Sequence, residues 1–287
     1  MLAVYQKELR SYFNNLFGYL YIAIVLLFMG IFASIIHFKG MVADIAYSLD
    51  NLAIVILLVT PLLTMRIIAE ERQKKTDQLL YSLPISITST VVGKYLAMVT
   101  VFAIPVGVIC IYPMIMSIFG TINMGQAYSV IFIFFLMGAS LLAIGMFISA
   151  LTENQIVSAI ISFVTMFLIY FSSAIAEMVP KTSFASFISL TVLAVILGVI
   201  VYIMVKNYIA ALGVTTVAEI LIAIFYNSNK TDFEGLFAKI IGWTSVYEKC
   251  MYFYNGIFDL TAVVYYISVI FLFVFLSIQA VEKRRWS

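Results

Sequence analysis

Charge is scarce in this sequence. Only 10% of its 287 residues are Asp, Glu, Lys or Arg, against about 25% in a soluble domain. A water-soluble globule of this length would lack the polar residues to cover its surface. Histidine is nearly absent: His37 stands alone, at the end of an apolar run where an interfacial role suits it. The two cysteines are Cys110, inside an apolar run, and Cys250, in a polar connection, so no disulfide and no metal or redox role is expected. A membrane enzyme would need carboxylates, histidines or thiols clustered at membrane depth, and the sequence does not supply them. No Gly-x-x-x-x-Gly-Lys-Ser/Thr phosphate loop occurs, so the chain is not expected to bind ATP itself. The net charge of +2 is small, and the basic residues sit at the ends of apolar runs rather than in a patch, which argues against a nucleic-acid partner.

What the sequence has in abundance is apolar length. Hydrophobic residues make up 64% of it, in runs that reach the ~20 residues needed to cross a bilayer. Backbone in lipid must satisfy its own hydrogen bonds, which leaves helices or a closed barrel. Barrel strands alternate apolar and polar residues, whereas these runs are continuously apolar. The expected fold class is therefore an all-α integral membrane protein, a polytopic bundle of about eight transmembrane helices. Runs lie at about 17–37, 48–65, 95–119, 127–150, 156–178, 184–205, 207–226 and 261–281. The first is read as a span rather than a cleaved signal, because polar and charged residues fill 6–15 before it.

Residues 1–16 read as an interfacial helix, with Leu2, Tyr5, Leu9, Tyr12, Phe13 and Leu16 on one side and Lys7, Arg10, Ser11 and Asn14 largely on the other. Pro105 and Pro113 are expected to kink the third span. Ala139, Ala143, Gly145 and Ser149 form small-xxx-small pairs suited to close packing in the fourth. Residues 228–260 are mixed in character and read as an extracytoplasmic segment. Glu219 falls within 207–226 as an intramembrane polar residue. Either it faces other helices or it reaches headgroups from a tilted helix, since a charge at the bilayer centre is costly.

Basic residues set the orientation. With both termini in the cytoplasm, eleven lie inside (Lys7, Arg10, Arg66, Arg72, Lys74, Lys75, Lys94, Lys206, Lys283, Arg284, Arg285) and five outside (Lys39, Lys181, Lys230, Lys239, Lys249). A six-span version, with 184–227 not crossing, keeps that orientation.

One segment differs from the rest. Residues 66–94 hold Arg66, Glu70, Glu71, Arg72, Lys74, Lys75, Asp77 and Lys94, eight of the thirty charged residues in a tenth of the length. An apolar knob, Leu79, Leu80, Tyr81 and Leu83, follows the charges, and Pro84 ends it. Two readings of this cytoplasmic loop are open on composition: docking into a groove of another protein, or a solvated loop on the membrane surface.

Here the sequence resembles the ABC-2 type permeases, in particular the branch containing the gliding-motility and nitrous-oxide-maturation permeases. The resemblance rests on Ala69-Glu70-Glu71, Thr76-Asp77-Gln78-Leu79-Leu80, Pro84 and Gly93-Lys94. It continues through Leu151-Thr152-Glu153-Asn154-Gln155, Asn255 to Leu260, Tyr265-Tyr266 and Arg284-Arg285-Trp286. Gln78 departs from the family's usual Glu. Residues 184–227 match no motif and look like a hairpin added to a six-helix core, all within one permease domain, 1–287. The resemblance implies a multi-pass protein of a bacterial cell membrane. It would pair with a second permease subunit, sit among membrane lipids and be driven by two copies of a cytoplasmic ABC ATPase. ATP and Mg would be held by that partner, with no cofactor on this chain. The residues that would contact the ATPase are Glu70, Glu71, Arg72, Thr76, Asp77, Gln78, Leu79, Leu80, Leu83 and Pro84, with Glu153, Asn154 and Gln155 as a smaller second contact. The cargo would be amphipathic and exported, or force would be transmitted across the membrane. Two other classes stay open. One is an ATP-independent secondary transporter, which would usually show paired ionisable residues within spans and often an inverted repeat, where this sequence has one such residue and no repeat. The other is a structural or signalling membrane subunit.

Overall fold

The computed structural model describes residues 1–76, 86–205, 208–228, 230, 231 and 233–285. Among them there is helix and no strand. The helices are α1 (Leu2–Asn14), α2 (Leu16–Ala33, extended by a π-helical turn Ser34–Lys39), α3 (Ala46–Thr64), α4 (Ala69–Gln73), α5 (Ile87–Ile109), α6 (Tyr112–Phe119), α7 (Met124–Leu151), α8 (Gln155–Tyr170), α9 (Ser172–Met178), α10 (Ser183–Val205), α11 (Tyr208–Ser228), α12 (Leu236–Trp243), α13 (Glu248–Tyr254) and α14 (Leu260–Arg285).

Among the described residues five helical stretches are long and apolar enough to cross a membrane: Leu16–Lys39, Ala46–Gln73, Ile87–Ile118, Met124–Leu151 and Leu260–Arg284. Counting α8 and α9 together as one broken span makes six. The chain is thus an all-α polytopic membrane protein. About eight spans were expected. The described residues of runs 184–205 and 207–226 are helical, but their apolar lengths, Ser183–Ile196 and Leu212–Asn227, are shorter than a span. In α11 the apolar pattern is softened by Thr215, Thr216 and Glu219.

The chain divides into two compact units, 1–170 with 246–287, and 171–245. In the first, α3 and α7 form the centre. Their apolar stretches are 72% and 78% buried, against 22%, 33% and 17% for those of α2, α5 and α14, whose outer faces carry residues such as Leu27, Phe271 and Phe275. Lipid tails are as apolar as these side chains, so the outer faces need no protein cover, and close packing holds the helices together.

The small residues of α7 show how. A Cβ on Gly145 would lie 2.4 Å from Thr64 Oγ1, and one on Gly138 2.3 Å from the Phe102 ring. At these two points α3 and the Phe102 side chain of α5 lie directly on the α7 backbone. Tyr95 on α5 also donates to the Ala139 carbonyl (3.1 Å). Pro105 lies within α5, whereas Pro113 starts a new helix, α6, at its first turn, where its missing N–H has no partner to lose. The expected second kink is therefore a break between helices.

In the second unit α10 packs along α11, with Gly198 against Thr215. Cys250 was expected in a polar connection. It is instead fully buried in the first unit, its thiol 3.0 Å from the Tyr266 hydroxyl, because α13 packs against α7. Both cysteines are free.

Candidate functional site

A cluster of charged residues of the first unit gathers at one end of α3. After Thr64 the chain turns through Met65–Ile68 into α4, five residues long, bearing Glu70, Glu71 and Arg72. This short helix has no side-chain cap of its own. Ser149 on α7 supplies the missing acceptor: its Oγ takes hydrogen bonds from the backbone N–H groups of Ile68 (3.2 Å) and Ala69 (3.1 Å). These are donors that a helix start otherwise leaves unsatisfied. Ser149 lies one turn beyond Gly145, so the close crossing of α3 and α7 sets its position.

α1 closes the site from the other side. Its buried face is Val4, Glu8 and Tyr12, an i, i+4, i+8 stripe. Leu2 and Leu16, placed with Tyr12 on one face by the sequence pattern, are exposed instead. Tyr12 donates to the Leu63 carbonyl (2.8 Å), Tyr5 shares a 3.1 Å hydrogen bond with Thr100 on α5, and the extended backbone of Asn15 turns the chain into α2.

Two linked sets of ion pairs result. Lys94, on α5 and 2% exposed, donates to Glu8 (3.0 Å), to the Ile67 carbonyl (2.9 Å), and pairs with Glu71 (2.9 Å). Lys7 also reaches Glu71 (3.0 Å). Burial alone would lower the pKa of the Lys7 ammonium, but Glu71 and Glu8 outweigh it and hold it above the ordinary lysine value. Beside this set, Glu70 accepts from Arg66 and Lys74, both at 2.7 Å, and the Arg66 guanidinium lies 4.4 Å from the Phe17 ring centre at the start of α2. The two sets share α4 and tie α1, α2, α3 and α5 to it. Arg72 is buried, and Thr76 closes the turn with its N–H on the Glu71 carbonyl (2.9 Å).

The structure therefore brings Glu70, Glu71, Arg72 and Thr76 together. Asp77, Gln78, Leu79, Leu80, Leu83 and Pro84 lie outside the described residues. Between α7 and α8, Asn154 accepts from the Ile156 N–H (2.8 Å), and Glu153 forms an exposed ion pair with Arg284 near the end of α14. α4 packs against both α7 and α8, the helices that this turn joins. Glu219 lies in the second unit, exposed on α11.

Glu8 was missed by sequence reasoning. Its signal was a carboxylate four residues from both Val4 and Tyr12, on the inner face of an amphipathic helix, where an unpaired charge is not tolerated.

A second polar group lies about 20 Å away along α3. Asp50 accepts from Tyr247 (2.5 Å), whose ring packs on Tyr170 at 4.6 Å, and Tyr266 donates to the Val246 carbonyl. Among the described residues no group of three or more His, Cys, Asp and Glu could hold a metal ion.

Fold and site together define a multi-pass helical membrane protein whose one densely charged segment is anchored at one end of the bundle, the build of a transport component. The family model described as ABC-2 family transporter protein matches residues 23–188, more than half of the chain, and the chain belongs to that family. It is thus the membrane permease component of an ABC transporter. No curated protein matches the sequence.

Proposed function

We propose that this chain couples ATP hydrolysis by a separate ATPase subunit to export of an amphipathic substrate, or to mechanical transmission across the membrane, as a member of the gliding-motility and nitrous-oxide-maturation permease branch. Two permease subunits pair in a bacterial cell membrane with both termini in the cytoplasm. Two ATPase subunits, carrying ATP and Mg, dock beneath them. Segment 66–94 is the seat of the ATPase, with Leu79, Leu80 and Leu83 as the apolar knob and the Glu153–Gln155 turn as a second contact.

The observation that carries this reading is the anchoring of α4. A loop lying passively on the membrane needs no buried ion pairs. A segment that receives a push needs a root that does not yield, and α4 is held by Ser149, Lys94, Lys7 and Arg66 from α7, α5, α1 and the end of α3. The sparse charge of the spans fits an amphipathic cargo better than a small ionic solute.

The test is Leu79→Asp and Leu80→Asp in the reconstituted complex. A buried side chain of this size is worth ~1.5–3 kcal/mol, and a carboxylate in its place is desolvated without a partner. Partner retention is expected to fall at least tenfold while the permease still inserts. Unchanged retention and ATPase turnover in both variants would refute the assignment.

A further inference from the structure

Lys94 has the lowest exposure of any charged residue among the described residues. An ammonium has three N–H donors, and three oxygens surround this one: Glu8 of α1, Glu71 of α4 and the carbonyl of Ile67. The preceding residue makes room for the contact. A Cβ on Gly93 would meet the Met1 carbonyl at 3.1 Å and the Tyr5 nitrogen at 3.4 Å, so the α1 backbone lies directly on α5 here. A helix that only anchors the chain at the interface would be served by leucine at position 8. A carboxylate there costs desolvation and returns a directional bond. That bond runs to the same ammonium that holds the root of segment 66–94.

Resting on the proposed ATPase-driven function, we propose that Lys94 is a positioning residue for energy coupling. By binding Glu8 and Glu71 at once it makes α1 and α4 one mechanical body, so that α1 moves with the segment when the ATPase closes. The interfacial helix is then a second arm of the coupling device, carrying the stroke to the cytoplasmic surface of the bilayer.

Glu8→Met separates this role from simple stability. It cuts the link from Lys94 to α1, and every Glu8→Met sample also carries Lys7→Gln, which removes the remaining α1 pair to Glu71. Lys94 stays compensated by Glu71 and the Ile67 carbonyl, whereas Lys94→Met would leave both carboxylates with only the exposed Lys7. The full chain, with Cys110→Ser and Cys250→Ala, is purified with its ATPase and spin-labelled in pairs at Arg10→Cys on α1, Gln73→Cys on α4 and Tyr47→Cys at the far end of α3, all exposed positions. Distances are measured by pulsed electron resonance with ADP and with vanadate-trapped nucleotide.

In the otherwise unchanged protein the 10–47 and 73–47 distances should both change, by about 2 Å or more, while 10–73 stays constant. In Glu8→Met the 73–47 change should persist and the 10–47 change should vanish. A nucleotide-dependent 10–73 distance in the unchanged protein, or a 10–47 change that survives Glu8→Met, overturns the proposal. Failure of the unchanged chain to retain an ATPase, or a 73–47 distance that ignores nucleotide, instead defeats the functional reading beneath it. Should Glu8→Met fail to insert, the 10–73 distance in the unchanged protein decides alone.

Discussion

Gly145→Ala adds one methyl group at the crossing of α3 and α7, and the structure says what it meets. The new Cβ would lie 2.4 Å from Thr64 Oγ1 and 2.7 Å from both Thr64 Cβ and Cγ2. Thr64 is fully buried, and its hydroxyl donates within α3 to the Thr60 carbonyl at 3.3 Å. Rotating that side chain does not help, because its own Cβ is already too close. The helices must separate by about 1 Å to restore van der Waals contact. Overpacking of this kind costs about 1–3 kcal/mol. Ser149 lies one turn along the same helix, so the displacement also pulls its hydroxyl off the Ile68 and Ala69 N–H groups and loosens the root of the charged segment. The assay is the thermal midpoint of the detergent-solubilised protein, read by size-exclusion fluorescence. Gly145→Ala should lower it clearly. The swapped pair Gly145→Ala with Thr64→Gly should recover most of the loss, less the ~1 kcal/mol that glycine costs within a helix. An unchanged midpoint in Gly145→Ala, or no recovery in the pair, would show that the two helices do not cross here.

Other outcomes follow from the same contacts. Lys94→Met leaves the Glu8 and Glu71 carboxylates without their buried counter-charge and should destabilise the protein by about 3–5 kcal/mol, and adding Glu8→Gln and Glu71→Gln should recover part of it in the same thermal assay. Arg284→Ala breaks only the exposed pair with Glu153, so its effect should stay within about 0–1 kcal/mol. Asp259 caps α14, accepting from Thr261, first at its hydroxyl and then at its N–H, and these bonds hold its carboxyl below the ordinary value. Its contribution is thus present above the ordinary aspartate pKa and lost as the pH falls through the lowered one, so Asp259→Ala should flatten the acid end of the stability profile measured by thermal melts. For orientation, thiol labelling in intact cells should reach Met41→Cys from outside and should not reach Gln73→Cys.

The main lines of the fold can be read in the sequence because lipid imposes length and apolarity on each span, and among the described residues every expected run is built of helix. The packing is less visible. Gly145 belongs to a small-residue pattern, but its partner Thr64 is eighty-one residues away, and Gly138, which receives Phe102, lies outside that pattern. The charged segment is conspicuous by density, yet its anchoring depends on Glu8, whose partner Lys94 lies eighty-six residues away. Lipid also misdirects the reading of α1. Outside water an amphipathic helix can turn an apolar residue such as Leu2 outward and its carboxylate inward, and Leu16 belongs to the next helix, so the apolar stripe of the sequence did not identify the buried face. Cys250 was misplaced for a related reason: the charges of Glu248 and Lys249 mark a surface in sequence, while the face of α13 that bears Cys250 and Phe253 packs into the bundle. In Gly93-Lys94 both parts of the motif have a physical cause, since the glycine admits the α1 backbone and the lysine binds its carboxylate.

The central claim, that this chain works by coupling to a separate ATPase, is tested most directly by purifying the full chain in mild detergent and identifying what elutes with it by mass spectrometry. The account predicts an ATPase subunit with a phosphate-binding loop, in one-to-one ratio with the permease and released by Leu79→Asp. A stable, monodisperse permease with no such subunit, from cells that express one, would contradict it.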